Sequence, residues 1–473
     1  MTRELALLAA RAARGSGRRH VSQAELTRRL NLPSTSKSTI NSYLSGKSLA
    51  PADTLDAIVI ALGASAEEQR WWGEAWERVH MQRLDERRGA RPATTSAGPD
   101  GVFAELHARL QRTSRRTGDV LAITAHNMDT LLRVPKIVAD DEIEIARPMR
   151  APGGSGANTV AGLGRLGVRV SVVGAVGEDE QGRELRSALV ADGVGVEHLL
   201  NIDDPELGSG SAYVLTEHAG ARSIYPHAGV NNRLAAVVKD RGLFRELMSA
   251  VAGHRILHLS SFVGADERNL QERLVAELDD DTVLSFTPGS LYSKLGGDRI
   301  ASILGRANLL FMYEQQLDSL LRRTNLGTAA VSTRMEDQMR SLFAWRAASA
   351  SKQPLILVVK RPAELVAGSR RDYVVMGYGW TSMQGFAQPD GELSHHDILD
   401  ATGAGDALAA GMLFGLLRGA PPGEAANFAY VMALSASSAV GARPGLPDSS
   451  TVADRWRQHL PASPLPGWLS PVA

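Results

Sequence analysis

The sequence predicts an α/β domain with a largely parallel sheet, preceded by a smaller all-α region. From residue 118 onward, short apolar runs alternate with longer segments of helical periodicity, the pattern of buried parallel strands connected by helices. Residues 1–82 instead show only the apolar spacings of helices. Residues 84–101 are rich in Arg, Gly, Pro, Ser and Thr and lack periodicity, which is typical of a flexible linker. A chain of 473 residues is long enough for two such domains.

Six short apolar runs are the predicted strands of the sheet. A helix over residues 102–116 is predicted to lead from the linker into the first of them. The runs are DVLAITA at 119–125, VRVSVVGAV at 168–176, RILHLSSFV at 255–263, TVLSFTP at 282–288, ANLLFM at 307–312 and LILVV at 355–359.

The composition is that of a globular protein. Hydrophobic residues make up 44% of the chain, which is enough for a sizeable core. The chain has no cysteine, which excludes disulfides and thiolate metal sites and predicts a cytoplasmic location. The N-terminal apolar run is short and interrupted by arginine, so we expect neither a signal peptide nor a membrane partner.

The charge is distributed unevenly along the chain. The formal net charge is zero, yet residues 1–50 contain nine Lys/Arg and two Asp/Glu, a net charge of +7. Such an excess favours an anionic partner, most plausibly nucleic acid. A solvated basic face without a partner is the alternative.

Residues 22–46 predict two short helices joined by a tight turn. Ser22 can cap the first helix, Pro33 lies in the break, and the second helix begins near Ser36. Over about residues 5–80 this pattern resembles the Cro/repressor-like helix-turn-helix family, which implies duplex DNA binding as a homodimer. A helical bundle used only for dimerisation is the alternative. The candidate DNA-binding residues are Gln23, Ser36, Lys37, Ser38 and Asn41, with Arg28, Arg29 and Lys47 near the phosphate backbone.

Two further helices are predicted in the first region. Leu55, Ile58 and Leu62 share one helical face, and Gly63 can end that helix. Trp72, Trp76 and Val79 share a face of the next segment, which we interpret as core or dimer interface.

A glycine-rich motif, APGGSGANTVAGLGRLG, occupies residues 151–167. Gly153 and Gly154 precede a helix predicted to begin near Asn158. Glycines let the backbone approach a ligand closely, and the amides at a helix start favour oxygen-rich groups. Alone, the motif is equally typical of a tight strand-to-helix turn.

A second motif, DATGAGDALAAGMLFGLLRG, occupies residues 400–419. Thr402 to Asp406 open an apolar helix, so the amides of Gly403, Ala404 and Gly405 are predicted to face an anion. This arrangement suits a phosphate whose charge increases during transfer. Asp406 can accept a proton from a substrate hydroxyl there, or serve as a helix cap.

Together the two motifs resemble the ribokinase-like sugar and nucleoside kinase family, also called PfkB, over about residues 119–450. The resemblance implies a doubly wound sheet with a small β lid. It also implies phosphorylation of a hydroxymethyl group on a small sugar or nucleoside, with ATP and Mg²⁺ as cofactors. Related enzymes also use a monovalent cation such as K⁺.

The resemblance assigns roles to individual residues. Asp406 corresponds to the catalytic base, and Gly403, Ala404 and Gly405 to the anion hole. The implied substrate-binding residues are Asn127, Asp129, Gly153, Gly154 and Asn158, the nucleotide-binding residues are Thr402, Glu314 and Lys360, and Asp400 lies where a cation binds. The implied lid combines residues 141–150 with 210–226, and AGVNN at 228–232 resembles the family's Gly-Ala-Asn element.

The chain departs from the family pattern at three places. Tyr313 and Gln316 replace the ends of Asn-x-x-Glu, which leaves Glu314 as the nearby carboxylate. Lys360 and Arg361 stand where Thr-x-Gly is usual, and Thr-Pro-Gly at 287–289 replaces Asp-Pro-Gly. The first two changes affect elements that organise magnesium and nucleotide.

Two hypotheses follow from these patterns. The first is an active kinase fused to a DNA-binding regulatory module, and the second is a transcriptional regulator whose kinase fold senses a ligand with little or no activity. The predicted boundaries are 1–83 for the helix-turn-helix domain, 84–118 for the linker and connecting helix, 119–455 for the kinase domain and 456–473 for a C-terminal tail.

Overall fold

The chain divides into two compact units, Met1–Ser96 and Ala97–Ala473. The structure, a computed structural model, describes residues 11, 52–66, 68–69, 72, 99–139, 141–145, 147–217, 222–324, 334–349, 351–366, 369–380, 382–387, 399–461 and 463–469. The predicted helix-turn-helix at 22–46, with its candidate DNA contacts, lies outside the described residues.

The described part of the first unit contains one of the predicted helices. Helix α1 spans Ala52–Ala61, and Leu55 and Ile58 are buried, as their spacing predicts. Gly63 follows with a φ of +79°, the left-handed conformation that glycine adopts readily at a helix end. Trp72, predicted to lie in the core or a dimer interface, is also buried.

The described residues of the second unit form thirteen strands in two sheets. The strands are β1 Gly118–Ile123, β2 Asn127–Val134, β3 Met149–Gly153, β4 Val170–Gly177, β5 Val194–Ile202, β6 Gly210–Glu217, β7 Arg222–His227, β8 His254–Ser260, β9 Val283–Thr287, β10 Leu309–Tyr313, β11 Leu355–Val366, β12 Ser369–Gly379 and β13 Met383–Ala387.

The larger sheet has nine strands in the order β13-β12-β11-β10-β9-β8-β1-β4-β5. Its strands from β11 to β5 pair in parallel, whereas β12 and β13 pair antiparallel. All six predicted strands lie in this sheet, so the prediction of a largely parallel sheet is confirmed. The prediction omits β5, β12 and β13, which complete its two edges.

Helices cover both faces of the large sheet. They are α2 Pro99–Arg112, α3 Ser155–Arg165, α4 Glu180–Ala191, α5 Leu234–Asp240, α6 Phe244–Ala252, α7 Ala265–Ala276, α8 Gly289–Ser293, α9 Ala301–Arg306, α10 Glu314–Arg322, α11 Met335–Ala348, α12 Ala404–Leu417, α13 Pro422–Ser437 and α14 Val452–His459. Short 3₁₀ turns occupy Gly229–Arg233, Gly297–Ile300 and Gly467–Leu469.

Successive residues of the central strand β1 enter two different cores. Val120 and Ala122 pack with α3, α12 and α13, whereas Leu121 and Ile123 pack with α6, α7 and α10. Side chains alternate between the faces of a strand, so a strand buried on both sides must be apolar throughout. This explains the continuous apolar runs and gives the doubly wound architecture that the resemblance implies.

Both ends of the second unit are packed against its core. Helix α2 begins at Pro99 and buries Leu106 and Leu110. At the other end, residues 456–473 are predicted as a tail, yet Trp456 is only 1% exposed and the Trp468 ring centre lies 5.6 Å from that of Phe428. Aromatic burial therefore extends the packed unit to Leu469.

The smaller sheet is the predicted lid, with strand order β3-β2-β6-β7. Strands β6 and β7 cover most of residues 210–226, as the resemblance implies. Of the described residues in 141–150, however, only Met149 and Arg150 belong to a strand, the start of β3. Strand β2 follows β1 directly and lies in the middle of the lid. In the part of the chain that the structure describes, no helix has the length and apolar character needed to cross a bilayer.

Candidate active site

A cavity of about 650 Å³ lies at the carboxyl end of the large sheet, between the sheet and the lid. Strand β1 lies between β8 and β4. The chain places β4 and β5 on one side of β1 and the later strands from β8 onward on the other, so the strand order reverses at β1. Ligands of doubly wound folds bind at such switch points. The cavity brings together most of the predicted site residues, namely Asn127, Asp129, Gly154, Asn158, Lys360, Thr402, Gly403, Gly405 and Asp406.

The second glycine motif forms the floor of the cavity at the start of α12. Gly403 precedes the helix with a φ of +77°, and a Cβ atom there would lie 2.6 Å from the Cβ of Ala442. Both facts require glycine. The Ala404 N–H donates to the Ala401 carbonyl at 3.3 Å, whereas the N–H groups of Gly403 and Gly405 donate to no described residue. Those two amides at a helix N-terminus are suited to an anion.

Asp406 is the third residue of α12, and its carboxylate is held by two donors. Ser155 Oγ donates to Oδ1 at 2.6 Å, and Asn158 Nδ2 donates to Oδ2 at 3.0 Å. Burial raises the pKa of Asp406 to about 6, although both hydrogen bonds oppose the rise. A half-buried carboxyl group with a pKa near neutrality is suited to accept a proton from a hydroxyl.

Asp129 faces the cavity from the lid strand β2. It is 9% exposed, and burial together with the negative charge of Asp406 raises the pKa of its carboxyl group to about 7. A Cβ atom on Gly153 would collide with the Asp129 carboxylate, so only glycine fits beside it. No described residue donates a hydrogen bond to Asp129, so its oxygens can accept from a ligand's hydroxyl groups.

Asn127 is held by the side chain of Asn231, and the glycine turn lies against the Ala125 carbonyl. Asn231, in the AGVNN element, donates through Nδ2 to Asn127 Oδ1 at 3.1 Å and to the His126 carbonyl at 3.0 Å. Gly154 has a φ of +98°, and a Cβ atom there would collide with the Ala125 carbonyl. Helix α3 therefore starts at Ser155 and not near Asn158, because the turn ends at Gly154. The earlier start puts Ser155 and Asn158 on adjoining turns that face Asp406.

Arg443 is a site residue that the sequence does not reveal. It lies in the GARPGLP loop after α13 and is 4% exposed. Its Nε donates to Asn158 Oδ1 at 3.0 Å, and its NH1 group donates to Asp192 Oδ2 at 3.2 Å. Asp192 also accepts from Arg165 Nε at 2.7 Å. No local pattern links these positions, which only the tertiary fold brings together.

Arg222 is a second site residue that no sequence pattern indicates. It begins the lid strand β7, and its NH1 group donates to Thr402 Oγ1 at 3.4 Å. Arg222 lines the cavity and lowers the pKa of both Asp129 and Asp406. The lid therefore brings a positive charge next to the predicted phosphate site.

The predicted nucleotide side is arranged differently. Glu314 Oε2 accepts from Arg361 Nε at 3.1 Å, and Glu314 does not line the cavity. Gln316 Oε1 accepts from the Tyr313 N–H at 2.9 Å, so this side chain caps α10. Lys360 is 6% exposed and lines the cavity, with Nζ 5.7 Å from the centre of the Tyr313 ring.

Asp400 holds the turn before α12 in place. Its Oδ1 accepts from the N–H and the hydroxyl of Thr402 at 2.9 and 2.7 Å, and its Oδ2 accepts from the Gly441 N–H at 2.9 Å. Within the described ranges, no group of three His, Asp or Glu side chains is placed to hold a metal ion.

Known proteins resemble this chain mainly in the second unit. An uncharacterized sugar kinase of Archaeoglobus fulgidus is 28% identical over 294 residues, which cover 61% of this chain and 99% of that protein. A nucleoside kinase of Methanothermobacter thermautotrophicus is 22% identical over 72% of this chain and 95% of its own length.

A solved structure shares the fold. Ribokinase from Cryptococcus neoformans, determined in complex with ADP, superimposes with a TM-score of 0.55 over 72% of this chain and 99% of its own. The two sequences are 20% identical, so the likeness concerns the fold. Residues 117–361, just over half of the chain, match the family described as pfkB family carbohydrate kinase. With this match, the paired glycine motifs and the lidded doubly wound sheet, the chain belongs to the pfkB family of carbohydrate kinases.

Proposed function

We propose that the second unit phosphorylates a hydroxymethyl group of a small sugar or nucleoside, with Asp406 as the catalytic base. The observation that carries this proposal is the position of Asp406 in the first turn of α12, beside the N–H groups of Gly403 and Gly405. A proton acceptor and an anion site are thereby adjacent on one rigid helix. Phosphoryl transfer needs both, since the hydroxyl must lose a proton while negative charge moves between oxygens.

The residues of the site have different roles in the proposed reaction. Asp129 and Asn127 bind the hydroxyl groups of the substrate and orient the reacting one toward Asp406. As the hydroxyl oxygen forms its bond to phosphorus, its proton passes to Asp406, and ADP leaves. The amides of Gly403 and Gly405 stabilise the charge on the transferred group.

The described residues fit ATP, which supplies the phosphoryl group when bound. The start of α12 offers free amides, and Lys294, Lys360 and Arg222 line the same cavity. Three cations and a helix N-terminus suit a polyphosphate. Glu314 does not fit the role of magnesium ligand in this arrangement because it is paired with Arg361. The Asp400 carboxylate likewise accepts from three donors, so in this arrangement it does not fit the role of a cation ligand.

A screen of sugars and nucleosides with ATP tests the proposed activity. The purified full chain is assayed for ADP release and phosphorylated product, in parallel with Asp406→Asn. We expect at least one compound to be turned over by the wild type and turnover to fall by roughly 10²–10⁴ in the variant, the usual size of general-base catalysis. Failure of every compound, or equal turnover by the variant, would contradict the proposal.

A ligand sensor with little activity is the second candidate. The observation that favours it is the Glu314–Arg361 ion pair, together with Gln316 in the place of the family glutamate. Thermal shifts with each compound separate the two candidates, since a ligand that binds the folded state raises its melting temperature. A sensor would be stabilised by a compound that it does not phosphorylate, whereas a kinase would be stabilised by its substrate.

We further propose that the first unit binds duplex DNA. The net charge of +7 over residues 1–50 and the resemblance to repressor-like helix-turn-helix modules support this proposal. The full chain should retain genomic duplexes at low salt and release them steeply as salt rises. We expect Lys37→Ala to reduce sequence discrimination more than Arg28→Ala, because recognition-helix residues read bases and Arg28 would contact phosphate. If no duplex is retained at low salt, the module serves assembly instead.

Ligand binding and DNA binding are proposed to be coupled through a homodimer. Repressor-like modules usually bind two half-sites as dimers, so a ligand that favours one dimer arrangement changes operator affinity. We expect a coupling of about 1–3 kcal/mol, equal in both directions. Operator titrations with and without the ligand, and ligand titrations with and without operator, measure it. Equal operator affinity in both states would make the units independent.

A further inference from the structure

We propose that Arg443 is a positioning residue for the catalytic base, acting through the side-chain amide of Asn158. Arg443 Nε donates to Asn158 Oδ1 at 3.0 Å, and Asn158 Nδ2 donates to Asp406 Oδ2 at 3.0 Å. The inference rests on the proposed function, since it assigns Asp406 the role of base. It adds a residue that lies 37 positions after Asp406 in the sequence and on a different element.

The order of the three groups fixes the orientation of the amide. A guanidinium group has only donors, and a carboxylate has only acceptors. An asparagine between them must therefore present its oxygen to the arginine and its nitrogen to the aspartate. In the flipped orientation the Asn158 oxygen would face the Asp406 carboxylate, and two acceptors would repel each other. Arg443 thus selects the only orientation in which Asn158 supports the base.

Arg443 is itself held firmly. Its NH1 group donates to Asp192 Oδ2 at 3.2 Å, and Arg165 Nε donates to the other Asp192 oxygen at 2.7 Å. Arg165 NH1 also donates to the Arg443 carbonyl at 2.8 Å. Arg165 and Asn158 both lie on α3, so a single helix holds the backbone and the side chain of Arg443. A buried charge is tolerated only when it is paired and hydrogen-bonded, and Asp192 provides the pairing.

The charge of Arg443 also acts on the base. Ser155 and Asn158 of α3 donate hydrogen bonds to Asp406. Three charged groups are also near it, namely Arg222 from the lid, Arg443 from the loop after α13 and Asp129 on the lid strand β2. Arg443 and Arg222 lower the pKa of Asp406, whereas burial raises it. Arg443 is 4% exposed, so solvent screens its charge little. Its removal should therefore raise the pKa of Asp406 and leave less of the ionised base at neutral pH.

Two substitutions separate the roles of contact and charge. In Arg443→Gln the charge is lost, so we expect kcat at pH 7 to fall by about tenfold or more and the acid limb of the kcat–pH profile to move to higher pH. In Arg443→Lys the charge is kept, but the planar Nε donor is lost. Its acid limb should remain near that of the wild type while kcat falls. In both variants KM should change by less than about threefold, because neither removes a ligand contact.

Arg255→Gln is the matched control. Arg255 NH1 donates to Asp119 Oδ1 at 2.9 Å in a similarly enclosed ion pair at the opposite end of the sheet from the cavity. Its loss should destabilise the fold without moving the kcat–pH profile. Melting temperatures of all variants show whether a fall in kcat follows from partial unfolding.

The outcomes decide between the alternatives. A shifted acid limb in Arg443→Gln, absent in Arg255→Gln, supports the positioning role. If Arg443→Gln loses the same factor in kcat at every pH, Arg443 is merely structural and the inference is overturned, as it also is if that variant has wild-type kinetics. If Arg443→Gln does not fold, Arg443→Lys decides, since wild-type kcat in that variant also overturns it. A wild type that phosphorylates no sugar or nucleoside refutes the proposed function first, whereas an active wild type with unchanged variants refutes only the role of Arg443.

Discussion

The two sides of the cavity are built on different principles. On the transfer side, Asp406 is fixed by Ser155 and Asn158, and Asn158 in turn accepts from Arg443. On the nucleotide side, Glu314 is tied to Arg361 outside the cavity, while the buried Lys360 lines it. The first side offers a carboxylate whose pKa is about 6, and the second offers Lys360 where the family pattern has Thr-x-Gly.

This difference shows which parts of a kinase site tolerate change. The base and the anion-binding helix start act on the reacting atoms, where a displacement of about 1 Å costs much of the rate. A polyphosphate can instead be neutralised by several arrangements of cations, amides and metal ions. The transfer side should therefore respond to small substitutions far more strongly than the nucleotide side.

Among glycine-to-alanine substitutions, Gly403→Ala should lower kcat the most. Alanine is strained at a φ of +77°, and its Cβ atom would lie 2.6 Å from that of Ala442. The helix start must shift, so we expect kcat to fall by about 10²–10³, the usual cost of losing an oxyanion donor. Steady-state kinetics measure the change. Gly423→Ala is the control, because nothing lies within 4 Å of its added Cβ atom. An unchanged kcat in Gly403→Ala would show that this helix start does not bind the transferred group.

Much of the fold follows from the sequence because burial on both faces leaves a plain signal. The run VSVVGAV, for instance, belongs to β4, whose eight residues are all buried. Edge strands carry no such signal, since β5 has the mixed sequence VGVEHLLNI and only three of its nine residues are buried. The lid strand β2 contains Asp129 and Arg133, so its polar residues suggest a loop.

The site residues differ in the same way, because some carry a local sequence signal and others do not. Residues within the two glycine motifs can be found from spacing, and the cavity does bring most of them together. Arg443 and Arg222 come from segments far away in sequence, so no local pattern indicates them. Likewise, the pairing of Glu314 with Arg361 depends on the register of β10 and β11, which sequence spacing does not specify.

Asp129→Ala should weaken substrate binding more than it slows turnover. Asp129 is buried and accepts from no described donor, so its loss would leave ligand hydroxyl groups unpaired. We expect affinity to fall by about 1–3 kcal/mol, or roughly 5- to 150-fold, in titration calorimetry. The exposed Asp454→Ala serves as control. Unchanged affinity would make Asp129 a structural residue of the lid.

Asp129→Asn should stabilise the ligand-free protein in a pH-dependent way. The pKa of Asp129 is about 7 in the folded state, whereas the ordinary value of about 3.8 applies to the unfolded chain. The folded state therefore binds the proton more tightly than the unfolded state does. Stability is then lost as pH rises from about 4 through 7, because the buried carboxyl group must ionise. The variant should melt a few degrees higher than the wild type at pH 8 and nearly equally at pH 4. If the two melting temperatures differed by the same amount at pH 8 and pH 4, ionisation of Asp129 would not destabilise the folded state.

The contrast between the two sides is tested most directly by measuring kcat for Asp406→Asn and Glu314→Gln side by side, with saturating substrate and ATP. Both substitutions replace a carboxylate by its amide, one on the transfer side and one on the nucleotide side. We expect Asp406→Asn to lose about 10²–10⁴ in kcat, as for a general base. Glu314→Gln breaks only the partly exposed ion pair with Arg361, so its kcat should stay within about threefold of the wild type. Equal losses in the two variants, or a larger loss in Glu314→Gln, would contradict the assignment of the chemistry to the transfer side.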